Sequence, residues 1–283
     1  MARFHGGGST ARRDVLPGFG LTMGFTITYL SALVLVPLLG LAITSSGLTW
    51  HQFVDAAWTP RIRHAYLISF GCALIAAFLN AVMGLVVAWV LVRYRFPGRR
   101  LVDAMVDLPF ALPTAVAGLA LVTLYDQHGW IGQWLKPLGI RVAYDWKGVV
   151  VALTFIGLPF VVRTVQPVLE DLGAEVEDAA GSLGANRWQV FARIILPELW
   201  PPLLTGFALA FARAVGEYGS VIFISGNIIK STEIAPAIIM EKTIQENGIP
   251  EAAAIAVVML AASFVLLFVI NLLQRWSAKR MEP

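Results

Sequence analysis

Few residues in this 283-residue chain are of a type that does chemistry, and their spacing excludes most of what they could do. A phosphate loop needs G-x-x-x-x-G-K-[ST], in which backbone amides and the lysine cradle phosphate groups. The sequence has none; Gly6-Gly-Gly-Ser-Thr10 lacks the lysine and sits in a tail. ATP hydrolysis by that route is therefore excluded. His5, His51, His64 and His128 are scattered without ligand spacing. The single cysteine, Cys72, excludes an internal disulfide framework and a cysteine-based zinc site. No nucleophile–base constellation or carboxylate pair stands out, so no catalytic, cofactor-binding or metal-binding residue is assigned. One ionic pair remains inside an apolar run. Arg213 and Glu217 are four residues apart and share a helical face. A charge at the bilayer centre costs about 2.5–3.5 kcal/mol on insertion scales, so such groups face a bundle interior or water.

The elements that hold this pair are membrane helices. Hydrophobic residues make up 58% of the chain and charged ones 14%, against about 25% charged in soluble domains. The net charge of +3 is too small for a polyanion partner, so nucleic acid is excluded. About 20 apolar residues cross a bilayer core. Six stretches meet or approach that length: 21–44, 65–92, 104–125, 148–165, 203–224 and 252–273. The first follows Arg12–Arg13 in the manner of a secretion signal. Its 24 residues exceed the roughly 7–15 of a signal core, which makes it a retained helix. Lys and Arg favour the cytoplasmic side. With the N-terminus inside, thirteen basic residues lie inside and seven outside, and the Arg93–Arg100 cluster is the strongest vote. Both termini are thus expected in the cytoplasm, as tails 1–17 and 277–283 around a transmembrane domain 18–276.

The loop 167–200 differs from the other inside segments because it leans acidic, with Glu170, Asp171, Glu175, Glu177, Asp178 and Glu198. Pro167 suits a first helical turn, Gly184 a left-handed helix end, and Asn186 with Gln189 a capping box. The expectation is a helix, a glycine turn and a second helix ending or bending at Pro197, with Pro201–Pro202 opening the fifth span. Ala179 and Ala180 give the first helix a small surface that another protein can approach. The alternative is a solvated re-entry loop.

Asp178-Ala179-Ala180-x-x-x-Gly184, nine residues, then Ile194-x-Leu196-Pro197 resembles the EAA loop of permease subunits in bacterial ABC importers. Asp178 stands where that pattern usually has Glu. Further runs resemble the T-type permease of sulfate/thiosulfate importers: Asp107 to Gly118, Pro159 to Pro167, Gly216 to Asn227, and Arg93-Tyr-Arg-Phe-Pro-Gly98. Molybdate and tungstate permeases resemble the chain less, and the sister W-type sulfate subunit is the nearest confusion. The resemblance implies an all-α type I ABC importer permease fold with six spans. It also implies an inner-membrane location, a sister permease (W-type), an ATP-binding cassette ATPase dimer and a periplasmic binding protein for sulfate or thiosulfate. Within it, Ala179, Ala180 and Gly184 would shape the ATPase contact, Glu177 and Asp178 would be its polar groups, and Ile194, Leu196 and Pro197 complete the loop pattern.

The pair Arg213–Glu217 then has two readings. It is a mutual salt bridge that helps hold helices together, or it places Arg213 beside the route of a dianion, with Glu217 weakening the grip so that the ion leaves. Pro109 and Pro113 remove backbone donors in the third span and either bend it or line a gate. Two small-residue rows mark the fifth span, Ala208–Ala212–Gly216 and Gly206–Ala210–Ala214, as expected for a helix contacted on two sides. A secondary transporter working alone is the competing class, and an intramembrane enzyme would have only Arg213–Glu217 to work with.

Overall fold

The computed structural model describes residues 19–281, and among these the chain is all helical. The N-terminal tail 1–17 lies outside the described residues, as do Glu282 and Pro283. Among the described residues, five helices are long and apolar enough to cross a membrane. They are α1 (Phe19–Ser46), α3 (Pro60–Arg93), α8 (Trp146–Asp171), the continuous run Arg187–Val215 that contains α11, and α14 (Ile249–Met281). α14 thus continues through most of the stretch assigned to the C-terminal tail.

Local signals set the boundaries. Thr49 and Gln52 form a reciprocal capping box that starts α2 (Trp50–Ala57), and Thr59 caps α3 with Pro60 in its first turn. Asp145 accepts the Lys147 amide and opens α8.

The third span is not one helix. It divides into α4 (Arg99–Val106), α5 (Leu108–Ala111) and α6 (Thr114–Tyr125). The prolines are the cause. Pro109 sits in the first turn of α5, and the residue before Pro113, Leu112, is forced extended at φ −85°, ψ 134°. The twelve residues of α6 rise about 18 Å, short of a core of about 30 Å. The fifth span also breaks. α11 (Leu196–Val215) stops before Gly216, and α12 (Gly219–Ser225) starts afresh. Short α7 (Gly132–Leu135) and α13 (Ala235–Ile244) complete the connections on either side of α8 and α12.

The loop region corrects three expectations. Pro167 lies inside α8, which runs on to Asp171. The loop helix is α9 (Gly173–Ser182), and it begins where Gly173 takes φ +47°. After α10 (Arg187–Val190), a π-turn over Phe191–Ile195 leads straight into α11, so Pro197 does not end the helix. A proline ring meets the carbonyl four residues back; for Pro197 that is Arg193, inside the wider π-turn. Pro201 and Pro202 lie within α11 rather than opening it.

The centre of the molecule is the trio α3, α8 and α11. They approach through glycines. A Cβ on Gly206 of α11 would lie 2.8 Å from Val161 Cα, and one on Gly84 of α3 2.7 Å from the Val161 side chain. α1, by contrast, is exposed nearly throughout and packs mainly on α14.

Candidate functional site

The three runs around the breaks meet in space. Gly118 of α6 lies against α12 so closely that a Cβ there would sit 2.4 Å from the Ser220 carbonyl oxygen and 2.7 Å from Ser220 Cα. Gly219 of α12 lies in turn against Thr114, at the start of α6. The two broken spans therefore interlock, each glycine receiving the other helix's backbone or side chain.

Arg163 of α8 joins the same assembly. Its Nε donates to Asp107 Oδ1 at 2.9 Å and its Nη2 to Asp107 Oδ2 at 2.7 Å, a two-pronged pairing. Nη1 reaches Asp103 Oδ1 at 2.7 Å, and Nη2 also donates to the Asp103 carbonyl. Asp107 stands between α4 and α5, one residue before Leu108-Pro109. In the sequence Arg163 enters as a basic residue of the charge counts and as part of the Pro159–Pro167 run, with no partner assigned. The signal that could have found it was its place in an apolar run, for which a carboxylate partner must exist.

Glu217 occupies the break after α11 and is buried. Its Oε1 accepts the Ser220 amide at 3.0 Å and the Ser220 hydroxyl at 3.1 Å, while Arg213 Nη1 donates to Oε2 at 2.5 Å. The carboxylate thus satisfies a free amide at the start of α12, where negative charge is favoured. Arg213 itself is half-buried. Beside it the two small-residue rows differ. Gly206, Ala210 and Ala214 are buried within this chain, whereas Ala212 and Gly216 are exposed.

At the far end of α8 the loop residues separate into two groups. Ala180 is buried against the body, as is Ile195; Ile194, Leu196 and Pro197 are half-buried. Glu177 turns inward: Arg93 Nε lies 2.8 Å from its Oε1, a charge contact without the alignment of a hydrogen bond. Arg93 also stacks over Trp89, at 5.8 Å from the ring centre. Asp178, Ala179 and Leu183 face outward, and Leu183 is 89% exposed. Gly184 takes φ +87°, and the capping box of Asn186 and Gln189 starts the next helix. α9 therefore presents one free face, fixed from behind by Ala180 and by the Glu177–Arg93 contact.

A second ionic cluster went unread in the sequence. At the N-terminal end of α3, Arg61 pairs with Glu233 at 2.6 Å and Glu241 at 2.5 Å, and Glu233 is 1% exposed. Glu233 lies between α12 and α13, so this arginine also holds a break.

Comparison with known proteins agrees with this architecture. The sulfate transport system permease protein CysT of Escherichia coli (strain K12) is 48% identical over 273 residues, covering 96% of this chain and 98% of the relative. The protein of the same name from Synechocystis sp. is 51% identical over 254 residues, covering 90% of this chain and 88% of that one. Among solved structures, a bacterial alginate ABC transporter matches with a TM-score of 0.74 over 91% of this chain and 94% of its own, at 16% identity. The MetNI methionine ABC transporter matches at 0.54 over 77% of this chain and 99% of its own, at 18% identity. At those identities the two structures establish a shared fold. Residues 80–283 match the family described as the binding-protein-dependent transport system inner membrane component, and this chain is a member of that family.

Proposed function

We propose that this chain is the membrane-spanning permease subunit of an ATP-driven sulfate importer, with thiosulfate as a second substrate. The observation that carries the reading is the near full-length identity, 48–51%, to sulfate transport permeases. No phosphate loop is present in the sequence, so the energy comes from a separate ATP-binding cassette dimer. The free face of α9, with Asp178, Ala179, Leu183 and the Gly184 turn, is the surface offered to that ATPase. Glu177 and Ala180 set its angle from behind. The exposed row Ala212–Gly216 with Ala208 faces the sister permease, of the W-type, and Arg213 stands at its edge beside the anion route. Pro109 and Pro113 give the third span the break that gates that route. A periplasmic binding protein delivers the anion. The asymmetry of basic residues supports both termini in the cytoplasm, and membership of an inner membrane component family supports a bacterial inner-membrane location.

The test is uptake of labelled sulfate by cells lacking their own importer, supplied with this chain, its sister permease, the ATPase and the binding protein. Sulfate uptake that excess thiosulfate inhibits and molybdate does not is the expected result. Inhibition by molybdate alone would assign another oxyanion. Uptake without the ATPase would overturn the importer reading in favour of an independent transporter. In the same assay Arg213→Gln should abolish uptake while the complex still assembles.

A further inference from the structure

Near the N-terminal end of α3, away from the broken spans, lies a cleft of about 330 Å³ lined by Trp58, Arg63, Tyr66, Leu67, Phe70 and Gly71. Its floor is Tyr66, buried and fixed by a hydrogen bond from its hydroxyl to the Ile255 carbonyl on α14. Its wall is Trp58, whose ring centre lies 6.3 Å from that of Tyr66. Gly71 leaves the lower end open, with no atom within 4 Å of where its Cβ would be. Apart from Arg63 and the engaged Tyr66 hydroxyl, the lining carries only the Trp58 ring nitrogen as a polar side-chain group.

Arg63 is the feature that needs a partner. It is exposed and, unlike Arg61 two residues earlier, forms no ion pair with any described residue. Arg63, Leu67 and Gly71 follow at four-residue steps, so the cation stands directly over the apolar cleft, about 6 Å per step. Below Gly71 the same face continues as Leu74, Phe78 and Val82, all exposed, with no charged residue before Arg93. An unpaired cation at a helix end, a tryptophan beside it and an apolar channel running down the helix match the order of groups in a membrane lipid.

We infer that this cleft is a binding site for an anionic phospholipid. The headgroup phosphate pairs with the Arg63 guanidinium, the glycerol region lies against Trp58, and one acyl chain fills the cleft over Tyr66 and Gly71. Charge complementarity selects the occupant: an uncharged apolar chain would leave the guanidinium unpaired, and a free anion would leave the apolar walls unfilled. The site rests on the membrane-spanning fold alone and not on which ion is carried.

The assembled complex is equilibrated with vesicles of equal parts phosphatidylglycerol and phosphatidylcholine, and the lipids retained after extraction are counted by native mass spectrometry. The wild type should retain phosphatidylglycerol in preference. Arg63→Gln should reduce that preference about fivefold, the effect of one guanidinium on an anionic headgroup. Gly71→Leu should reduce retention of both lipids alike by filling the channel. Both substitutions are at open positions, and size-exclusion chromatography reports assembly. A wild-type retention profile in both variants overturns the site. So does a preference that survives Gly71→Leu and is abolished by inorganic phosphate, because the cleft would then hold an anion without a chain.

Discussion

Gly118→Ala tests whether the two broken spans work as one unit. The added methyl would lie 2.4 Å from the Ser220 carbonyl oxygen, 2.7 Å from Ser220 Cα and 2.9 Å from Ser220 C. Ordinary contact begins near 3.4 Å, so α6 and α12 must part by about 1 Å. No side chain can turn aside, since all three atoms are backbone. Overpacking of this kind costs about 1–3 kcal/mol. The displacement also falls on Ser220, whose amide and hydroxyl both bond Glu217. Sulfate uptake should therefore drop by more than the loss of stability explains, because the Arg213–Glu217 pair shifts with it. The assay is thermal melting of the purified complex alongside uptake in cells with matched expression. Gly24→Ala on α1 is the control, as it meets no atom within 4 Å and gains helix propensity. Wild-type melting and uptake in Gly118→Ala would refute the interlock, as would an equal loss in Gly24→Ala.

Arg163→Ala should lower uptake at least tenfold by releasing Asp103 and Asp107; loss of the charge-assisted bonds is about 1.5–3 kcal/mol. Exchanging the partners, Arg163→Asp with Asp107→Arg, should recover part of that uptake, and no recovery would mean that the pair is not the cause. Arg61→Ala leaves the buried Glu233 carboxylate unpaired and should destabilise the complex by about 3–5 kcal/mol, read as a lowered melting temperature that Arg61→Ala with Glu233→Gln partly restores. Gly184→Ala forces an L-residue to φ +87°, a strain of about 1–2 kcal/mol; it should weaken co-purification of the ATPase while membrane insertion, measured by fractionation, is unchanged.

What the sequence revealed follows from which forces are local. The apolar runs at 65–92 and 252–273 became α3 and α14 because length and hydropathy alone decide a lipid-facing helix. Gly184 and the Asn186–Gln189 box were legible because a left-handed φ and a reciprocal cap are properties of a few adjacent residues. The breaks were only half legible. Pro109 and Pro113 announced a distortion, but not that Asp107, at the break between α4 and α5, pairs with Arg163, 56 residues away. The end of α11 at Val215 was hidden, since Gly216-Glu217-Tyr218 reads as ordinary helix until Glu217 is seen to cap Ser220. Pro167 misled for the opposite reason. A proline marks a first turn in isolation, yet α8 absorbs it because packing against α3 and α11 holds the helix together.

The sparse charges obey a rule that emerges only in three dimensions. Asp107 stands between α4 and α5, Glu217 between α11 and α12, and Glu233 between α12 and α13. Their partners Arg163 and Arg61 lie on the unbroken helices α8 and α3, whereas Arg213 lies on α11 itself, one turn before its break. A break inside a membrane frees amides and carbonyls that lipid cannot satisfy. At the break after α11 the Glu217 carboxylate answers the Ser220 amide, and at all three positions an arginine balances the carboxylate. Breaks and ion pairs thus go together: without the arginines the gaps would hold isolated charge. This pairing sets Arg63 apart as a cation on an unbroken helix with no gap to serve and no carboxylate partner among the described residues.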